Sequence, residues 1–166
     1  LVNEFSDFAR MPKPTLKKND LIKIIKDNIK LLSEIDSSIK LNLISKKSVI
    51  SLESDKEQMN RVIFNLIKNS IESIQEKYAK KDDFIKKIDI EIISKSDYIE
   101  FIIIDNGLGF SEQNLKKIIK PYFTTKSKGS GLGLSIVNKI INDHDGTIKF
   151  IQQKIGAKVI INFKKK

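Results

Sequence analysis

The sequence predicts an α+β fold, a two-layer sandwich in which a mixed, mostly antiparallel sheet carries helices on one face. Apolar residues recur every three to four positions in the segments expected to be helical. In shorter segments they alternate with polar residues or run continuously, as in strands. The order of these segments is typical of such a sandwich. A length of 166 residues, 40% of them hydrophobic, allows one domain with a substantial core.

Four helices and five strands are predicted. In chain order, the helices run from about Leu21, after the N-cap candidate Asp20, to Ile35, from the N-cap Asp55 to Tyr78, from the N-cap Ser111 to Lys120 and from Leu132 to Asn142. The strands are Ile39 to Leu43, Ile88 to Ile93, Tyr98 to Ile104, Thr147 to Gln152 and Lys158 to Phe163. The second and third strands are expected to pair as an antiparallel hairpin.

The first 19 residues are predicted to be a helix end and a linker. Apolar residues at helical spacing, followed by prolines, indicate this: Leu1, Phe5, Phe8, Pro12 and Pro14. The chain opens without Met or a signal-peptide pattern, so we expect it to be part of a longer protein. Residues 20–166 are predicted to form the domain itself.

Composition excludes several classes of function. The net charge is +10, from 31 Lys and Arg against 21 Asp and Glu. Because the lysines are spread over almost every segment, this charge is weak evidence for a nucleic-acid surface. The lack of cysteine excludes thiolate zinc sites and cysteine nucleophiles, and the single histidine, His144, excludes histidine clusters.

The first glycine cluster, Asp105 to Gly109, directly follows a predicted strand. A carboxylate held at a strand end can accept a hydrogen bond from the exocyclic amine of a base, and glycines let the following turn pass close under a ring. An ordinary turn at the end of a strand is the other interpretation.

The second glycine cluster, Gly129 to Leu134, opens the last predicted helix. Free N–H groups and the helix dipole favour phosphate there, and Thr124, Thr125, Lys126 and Lys128 add hydroxyl and ammonium groups. The cluster matches neither a dinucleotide-binding motif nor a Walker A loop. A flexible glycine linker is the other interpretation.

Asn65 and Asn69 lie four residues apart on the second predicted helix, so their amides share one side of it. Amide oxygens suit Mg²⁺, which keeps most of its waters and bridges to nucleotide phosphates. Bonds from these amides to neighbouring backbone are the other interpretation. The combination with both glycine clusters favours a nucleotide site.

In this order, the motifs resemble the catalytic ATP-binding domain of sensor histidine kinases, which has the Bergerat-type fold. Asn65 to Asn69 resembles its N box, Asp105 to Gly109 its first glycine box, Pro121 to Lys126 its F box and Gly129 to Leu134 its second glycine box. Leu1 to Pro12 is similar to the end of the dimerisation helix in NtrY-like nitrogen-regulation sensors. The resemblance covers nearly the whole chain.

The resemblance implies that ATP and Mg²⁺ bind and that the γ-phosphoryl group passes to a histidine. Asn69 would hold Mg²⁺, Asn65 would lie close to the phosphates, and Asp105 would bind the adenine amine. Residues 111–130 would form a lid, and Asn65 and Lys126 would act at the transferred group. The other implied nucleotide contacts are Gly107, Gly109, Thr125, Lys126, Gly129, Gly131, Leu132 and Gly133.

The sequence departs from the family pattern at Lys120, Tyr122, Asp145 and Ala157. Ala157 stands where a Thr or Ser usually follows the last glycine, and in related ATPases a hydroxyl there often supports the adenine-binding Asp. Its loss is expected to weaken ATP affinity unless water substitutes. Ala157→Thr is accordingly expected to tighten ATP binding.

The resemblance places the acceptor histidine on a dimerisation hairpin outside this chain. His144, near the end of a predicted helix, is expected to be structural, so the chain is expected to bind ATP without labelling itself. The implied partners are the phosphoacceptor domain of the same kinase and a response regulator, in a homodimeric full-length protein. The domain is expected in the cytoplasm, and the family implies an inner-membrane anchor for the whole protein.

Two other classes of function stay open at this point. An ATPase clamp of the gyrase, Hsp90 or MutL kind shares the fold and the boxes, but uses an acidic base near the second Asn. Here the residue one turn earlier is Asn65 rather than an acid, and the F box favours the kinase. A basic nucleic-acid module would bind DNA with a steep salt dependence, and no nucleic-acid partner is expected.

Overall fold

The computed structural model describes residues 10–79, 83–120 and 133–166. The described ranges contain four helices and seven strands. In chain order these are β1 (Lys17–Asp20), α1 (Leu21–Leu32), β2 (Ile39–Ile44), β3 (Ser51–Ser54), α2 (Lys56–Lys77), β4 (Lys86–Ser94), β5 (Tyr98–Asp105), α3 (Glu112–Leu115), α4 (Gly133–Asp143), β6 (Thr147–Gln152) and β7 (Ala157–Lys164).

Five of the strands form the main sheet, in the spatial order β2-β4-β5-β7-β6. The neighbours from β4 to β6 are all antiparallel, whereas β2 runs parallel to β4 at one edge. Strands β1 and β3 form a separate antiparallel ribbon. The predicted α+β fold with a mostly antiparallel sheet is therefore confirmed.

The hydrophobic core lies on one face of the main sheet. Alternate residues of β5 point into it, and Ile99, Phe101 and Ile103 are buried. Helix α2 packs on this face beside both α1 and α4, and Ile67 and Ile74 of α2 are fully buried. Each such side chain stabilises the fold by about 1.5–3 kcal/mol through burial. This packing fixes α2 against β5, where the candidate site lies.

Both long helices begin at the predicted N-caps. The side chain of Asp20 accepts a hydrogen bond from the backbone N–H of Ile22 (3.0 Å), and that of Asp55 accepts one from Gln58 (3.1 Å). These bonds satisfy N–H groups that have no partner within the helix. Short-range sequence signals were therefore sufficient to predict both helix starts.

Two helices end earlier than predicted. Helix α1 ends at Leu32 rather than at Ile35, whose side chain is 54% exposed, so a further turn would bury little apolar surface. Helix α3 ends at Leu115 rather than near Lys120, and it contains no buried residue. Amphipathic spacing extends a predicted helix, but tertiary packing decides how much of it forms.

The ribbon of β1 and β3 was not predicted. Its strands are short and mostly polar, and thirty residues of chain separate them, so no local pattern marks them. Strand β1 begins at Lys17, which lies within the predicted linker. The helix predicted over residues 1–9 lies outside the described residues, and a domain boundary at residue 19 stays a prediction.

The turn between α4 and β6 explains one departure from the family pattern. Asp145 has a positive φ of 56°, a left-handed conformation in which glycine is favoured and Asp is among the better tolerated alternatives. The backbone of this turn therefore keeps the shape that a glycine would allow.

Candidate functional site

Asp105 ends strand β5 and is buried, with 7% of its surface exposed. Its Oδ1 accepts a hydrogen bond from the backbone N–H of Gly107, and its Oδ2 accepts one from the hydroxyl of Ser70, both at 2.9 Å. Burial raises the pKa of Asp105, while these bonds, the backbone N–H of Ala157 and the positive charge of Lys77 oppose the rise. The carboxylate is thus held at a strand end with acceptor capacity left over.

Gly107 and Gly109 let the turn after Asp105 pack closely against Ser73 and Gly156. A Cβ on Gly107 would come within 2.4 Å of Ser73 Oγ and 2.9 Å of the Ser73 backbone carbon. Gly109 has a φ of +78°, and its Cβ would lie 2.6 Å from the carbonyl oxygen of Gly156. Packing against Ser73 and Gly156 therefore requires glycine at both positions, and the predicted contact of this turn with a nucleotide base stays a prediction.

Side chains of α2 hold this turn in place. Ser73 Oγ accepts a hydrogen bond from the backbone N–H of Leu108 (2.9 Å). Lys77 Nζ and the Tyr78 hydroxyl both donate to the carbonyl oxygen of Asn106, at 3.2 and 3.1 Å. The turn is therefore bonded to the same helix that carries Asn65 and Asn69.

Strand β6 supplies a further bond to the turn, because the side-chain Oε1 of Gln152 accepts from the backbone N–H of Phe110. A third glycine lies opposite. Gly156 has a φ of +79°, and a Cβ there would lie 1.9 Å from the carbonyl oxygen of Asp105. The end of β5 and the start of β7 therefore approach each other so closely that no side chain fits between them.

Asn65 and Asn69 lie on α2 and are both half-buried. Ser70, buried on the same helix, follows Asn69 directly and reaches Asp105. The bond from Ser70 thus holds this part of α2 against the end of β5 at Asp105. The roles predicted for Asn65 and Asn69 stay predictions.

The sequence reasoning missed five side chains that hold Asp105 and its turn, namely Ser70, Ser73, Lys77, Tyr78 and Gln152. Three of these residues lie on α2, and a signal for two of them was present. Ser73 and Lys77 continue the spacing of four that begins with Asn65 and Asn69, so the polar side of α2 extends over three turns.

The second half of the predicted site lies mostly outside the described residues. Thr125, Lys126, Gly129, Gly131 and Leu132 fall there, as do Tyr122 and the remainder of the F box. Gly133 is described as the first residue of α4, one position after the predicted helix start, and a Cβ on it would meet nothing within 4 Å. The predicted roles of these residues stay predictions.

His144 is buried and its ring bridges two elements. Nδ1 lies 2.8 Å from the carbonyl oxygen of Ile140, and Nε2 accepts a hydrogen bond from the backbone N–H of Asp55 at 3.1 Å. These partners assign the proton to Nδ1. The imidazole joins the end of α4 to the start of α2, which agrees with the structural role expected for it.

Neither a cluster of metal-binding side chains nor a membrane-spanning helix is present in the described residues. In that part of the chain, no group of three or more His, Cys, Asp or Glu side chains could hold a metal ion. Nor is any helix there long and apolar enough to cross a membrane. Amide oxygens such as those of Asn65 and Asn69 are ligands that could hold Mg²⁺.

Comparison with known proteins places the chain in a family. The profile of a family described as histidine kinase-, DNA gyrase B- and HSP90-like ATPase matches residues 54–166. An NtrY-like sensor histidine kinase of Rickettsia felis is 34% identical over 164 residues, which are 98% of this chain and 26% of that protein. The chain therefore spans about a quarter of the length of the curated relatives it matches.

Solved structures agree with this assignment. The catalytic domain of histidine kinase ThkA is 27% identical and superposes with a TM-score of 0.80, covering 91% of this chain and 96% of that domain. A complex of ThkA with the response regulator protein TrrA shares the fold, with a TM-score of 0.81 at 23% identity, over 99% of this chain and 46% of that one.

The matched profile, the shared fold and the ordered motifs lead to one conclusion. The chain belongs to the family of histidine kinase-, DNA gyrase B- and HSP90-like ATPases, as a catalytic domain of the NtrY-like sensor histidine kinase type.

Proposed function

We propose that this domain binds ATP with Mg²⁺ and presents the γ-phosphoryl group to a histidine outside the chain. The observation that carries the proposal is the buried carboxylate of Asp105, held by Gly107 and Ser70 at the end of β5. The described donors to this carboxylate are the backbone N–H groups of Gly107 and Ala157 and the hydroxyl of Ser70. A carboxylate has about four acceptor positions, and the remaining capacity suits the exocyclic amine of adenine.

The phosphate end of the nucleotide is assigned to α2 and to the segment before α4. Asn69 would hold Mg²⁺, and Asn65 would lie close to the phosphates. Lys126 and Thr125 would reach phosphate oxygens, and the backbone N–H groups of the second glycine cluster would complete the cradle: Gly129, Gly131, Leu132 and Gly133. Bound Mg²⁺ would neutralise phosphate charge.

The chemistry assigned to the chain is positioning and charge neutralisation. The ATPase clamp is the less favoured candidate, because Asn65 takes the place of an acidic base one turn before Asn69 and because the relatives are sensor kinases. His144 is an unsuitable acceptor in the folded domain, since both of its ring nitrogens are bonded.

The partners and location follow from the family and are part of the proposal. We assign to the full-length protein a phosphoacceptor domain, a homodimeric state and a response regulator that receives the phosphoryl group. A cytoplasmic location for this domain, with an inner-membrane anchor elsewhere in the protein, completes the assignment.

Calorimetric titration tests the nucleotide site directly. The chain is titrated with a non-hydrolysable ATP analogue, with and without Mg²⁺, alongside Asn69→Ala. Wild type is expected to bind more tightly with Mg²⁺, and Asn69→Ala is expected to lose that gain. Asn42→Ala is the matched control, because Asn42 is also half-buried but bonds Asp89 on the opposite face of the sheet. No heat from a folded wild-type chain would refute the proposal.

A further inference from the structure

The support of the Asp105 carboxylate comes from an unexpected position. The family pattern indicates a hydroxyl at residue 157, yet Ala157 has none. Strand β7 still pairs there with β5, with Ala157 directly opposite Asp105 and 5% exposed. A hydroxyl is nevertheless present at the carboxylate, because Ser70 of α2 donates to Oδ2 at 2.9 Å.

Two of the donors to the Asp105 carboxylate act on different oxygens. Gly107 N–H binds Oδ1 and comes from the turn after β5, whereas Ser70 binds Oδ2 and comes from α2. Rotation of an Asp carboxylate about its Cβ–Cγ bond has no sharply preferred angle. Because the donors on the two oxygens come from separate elements, together they fix the plane of the carboxylate. The backbone N–H of Ala157 bonds the carboxylate as well, but only Ser70 supplies a hydroxyl from α2.

We propose that Ser70 is a positioning residue that orients the Asp105 carboxylate toward the exocyclic amine of adenine, replacing the hydroxyl that residue 157 lacks. The proposal rests on the assignment of Asp105 to the adenine site. It adds a specificity role for a residue that touches the carboxylate.

Selectivity between purines follows from this arrangement. An ionised carboxylate only accepts hydrogen bonds, so it binds the 6-amino group of adenine and repels the 6-oxo group of hypoxanthine. Without Ser70, the carboxylate loses a donor that favours its ionised form, and burial acts more strongly on it. A protonated or rotated Asp105 would discriminate less between the two bases.

The position of Ser70 also changes the expectation for Ala157. Since Oδ2 already has a hydroxyl donor, Ala157→Thr by itself is expected to leave ATP affinity close to that of wild type. Ala157→Thr should raise ATP affinity only when Ser70 is removed, because the Thr hydroxyl can then donate to the Oδ2 that Ser70 has left without its hydroxyl donor.

The test measures the affinities of ATP and inosine triphosphate by calorimetry for wild type, Ser70→Ala, Ala157→Thr and the double variant. Ser70→Ala is expected to weaken ATP binding about five- to tenfold, as expected for one lost hydrogen bond, with a smaller loss for inosine triphosphate. The double variant is expected to recover part of the ATP affinity and part of the wild-type ratio of ATP affinity to inosine triphosphate affinity. Ser54→Ala, which removes the hydroxyl of another buried serine, controls for general destabilisation.

The failure of this inference is distinct from failure of the proposed function. If wild type binds ATP and Ser70→Ala keeps the wild-type ratio of the two affinities, Ser70 is structural and the inference is wrong. If the double variant binds ATP no more tightly than Ser70→Ala, a hydroxyl at residue 157 does not substitute for that of Ser70, and this part of the inference is wrong. If folded wild type binds neither nucleotide, the nucleotide site itself is refuted.

Discussion

Replacing Asp105 by Asn is expected to raise the stability of the fold and to weaken ATP binding. Burial raises the pKa of Asp105, so near neutral pH the ionised group makes the folded state less stable than a neutral side chain would. The amide of Asn can still accept from Gly107 N–H and can donate to Ser70 Oγ. We therefore expect Asp105→Asn to unfold at a higher temperature than wild type at neutral pH.

The pH dependence of this stability difference has a definite sign. A carboxyl whose folded pKa is raised contributes stability that is fully present below its unfolded pKa and is lost as the pH rises through its folded pKa. The advantage of Asp105→Asn should therefore be largest above the folded pKa and should narrow as the pH falls. Thermal unfolding followed by circular dichroism from about pH 4 to about pH 8 measures it.

Nucleotide affinity should change in the opposite direction. A hydrogen bond to a charged group contributes about 1.5–3 kcal/mol, which corresponds to a loss of about 10- to 150-fold in ATP affinity when the charge is removed. Asp89→Asn is the matched control, since Asp89 is half-buried and bonds Asn42 on the other face of the sheet. The reasoning is refuted if Asp105→Asn unfolds earlier than wild type or if it binds ATP as tightly.

Three further predictions concern the packing beside Asp105 and the role of His144. Gly156→Ala should lower the free energy of unfolding by more than about 2 kcal/mol, because the new Cβ meets the Asp105 carbonyl oxygen at a positive φ. Urea denaturation measures this loss, and Gly133→Ala, which has open space, should show none. His144→Gln should cost about 1–3 kcal/mol, since it disrupts the bonds to Ile140 and Asp55. Wild type incubated with γ-³²P-labelled ATP should stay unlabelled, and label on His144 would contradict the structural role.

Much of the site was predictable because its signals are local. Asp105 and its glycines follow the strand in one short run, and the pair Asn65 and Asn69 needs only helical spacing to share a side. Caps at Asp20 and Asp55 likewise act within three residues of themselves. Motifs of this kind can be predicted from the sequence because each depends only on neighbours along the chain.

The partner of Asp105 depended on packing between distant segments. Ser70 lies 35 residues before Asp105, and it reaches the carboxylate because α2 docks on β5 at one particular rotation. The ribbon of β1 and β3 is of the same kind, since polar strands become regular only when another strand satisfies their backbone groups.

The sequence by itself determined the fold class, the starts of the long helices and the residues of the nucleotide boxes, because hydrophobic periodicity, capping and glycine placement act over a few residues. The tertiary structure alone decided which hydroxyl supports Asp105, how far α1 and α3 extend and why Gly156 admits no side chain. Those outcomes depend on contacts between segments far apart in the chain, and such contacts exist only once helices and sheet have packed together.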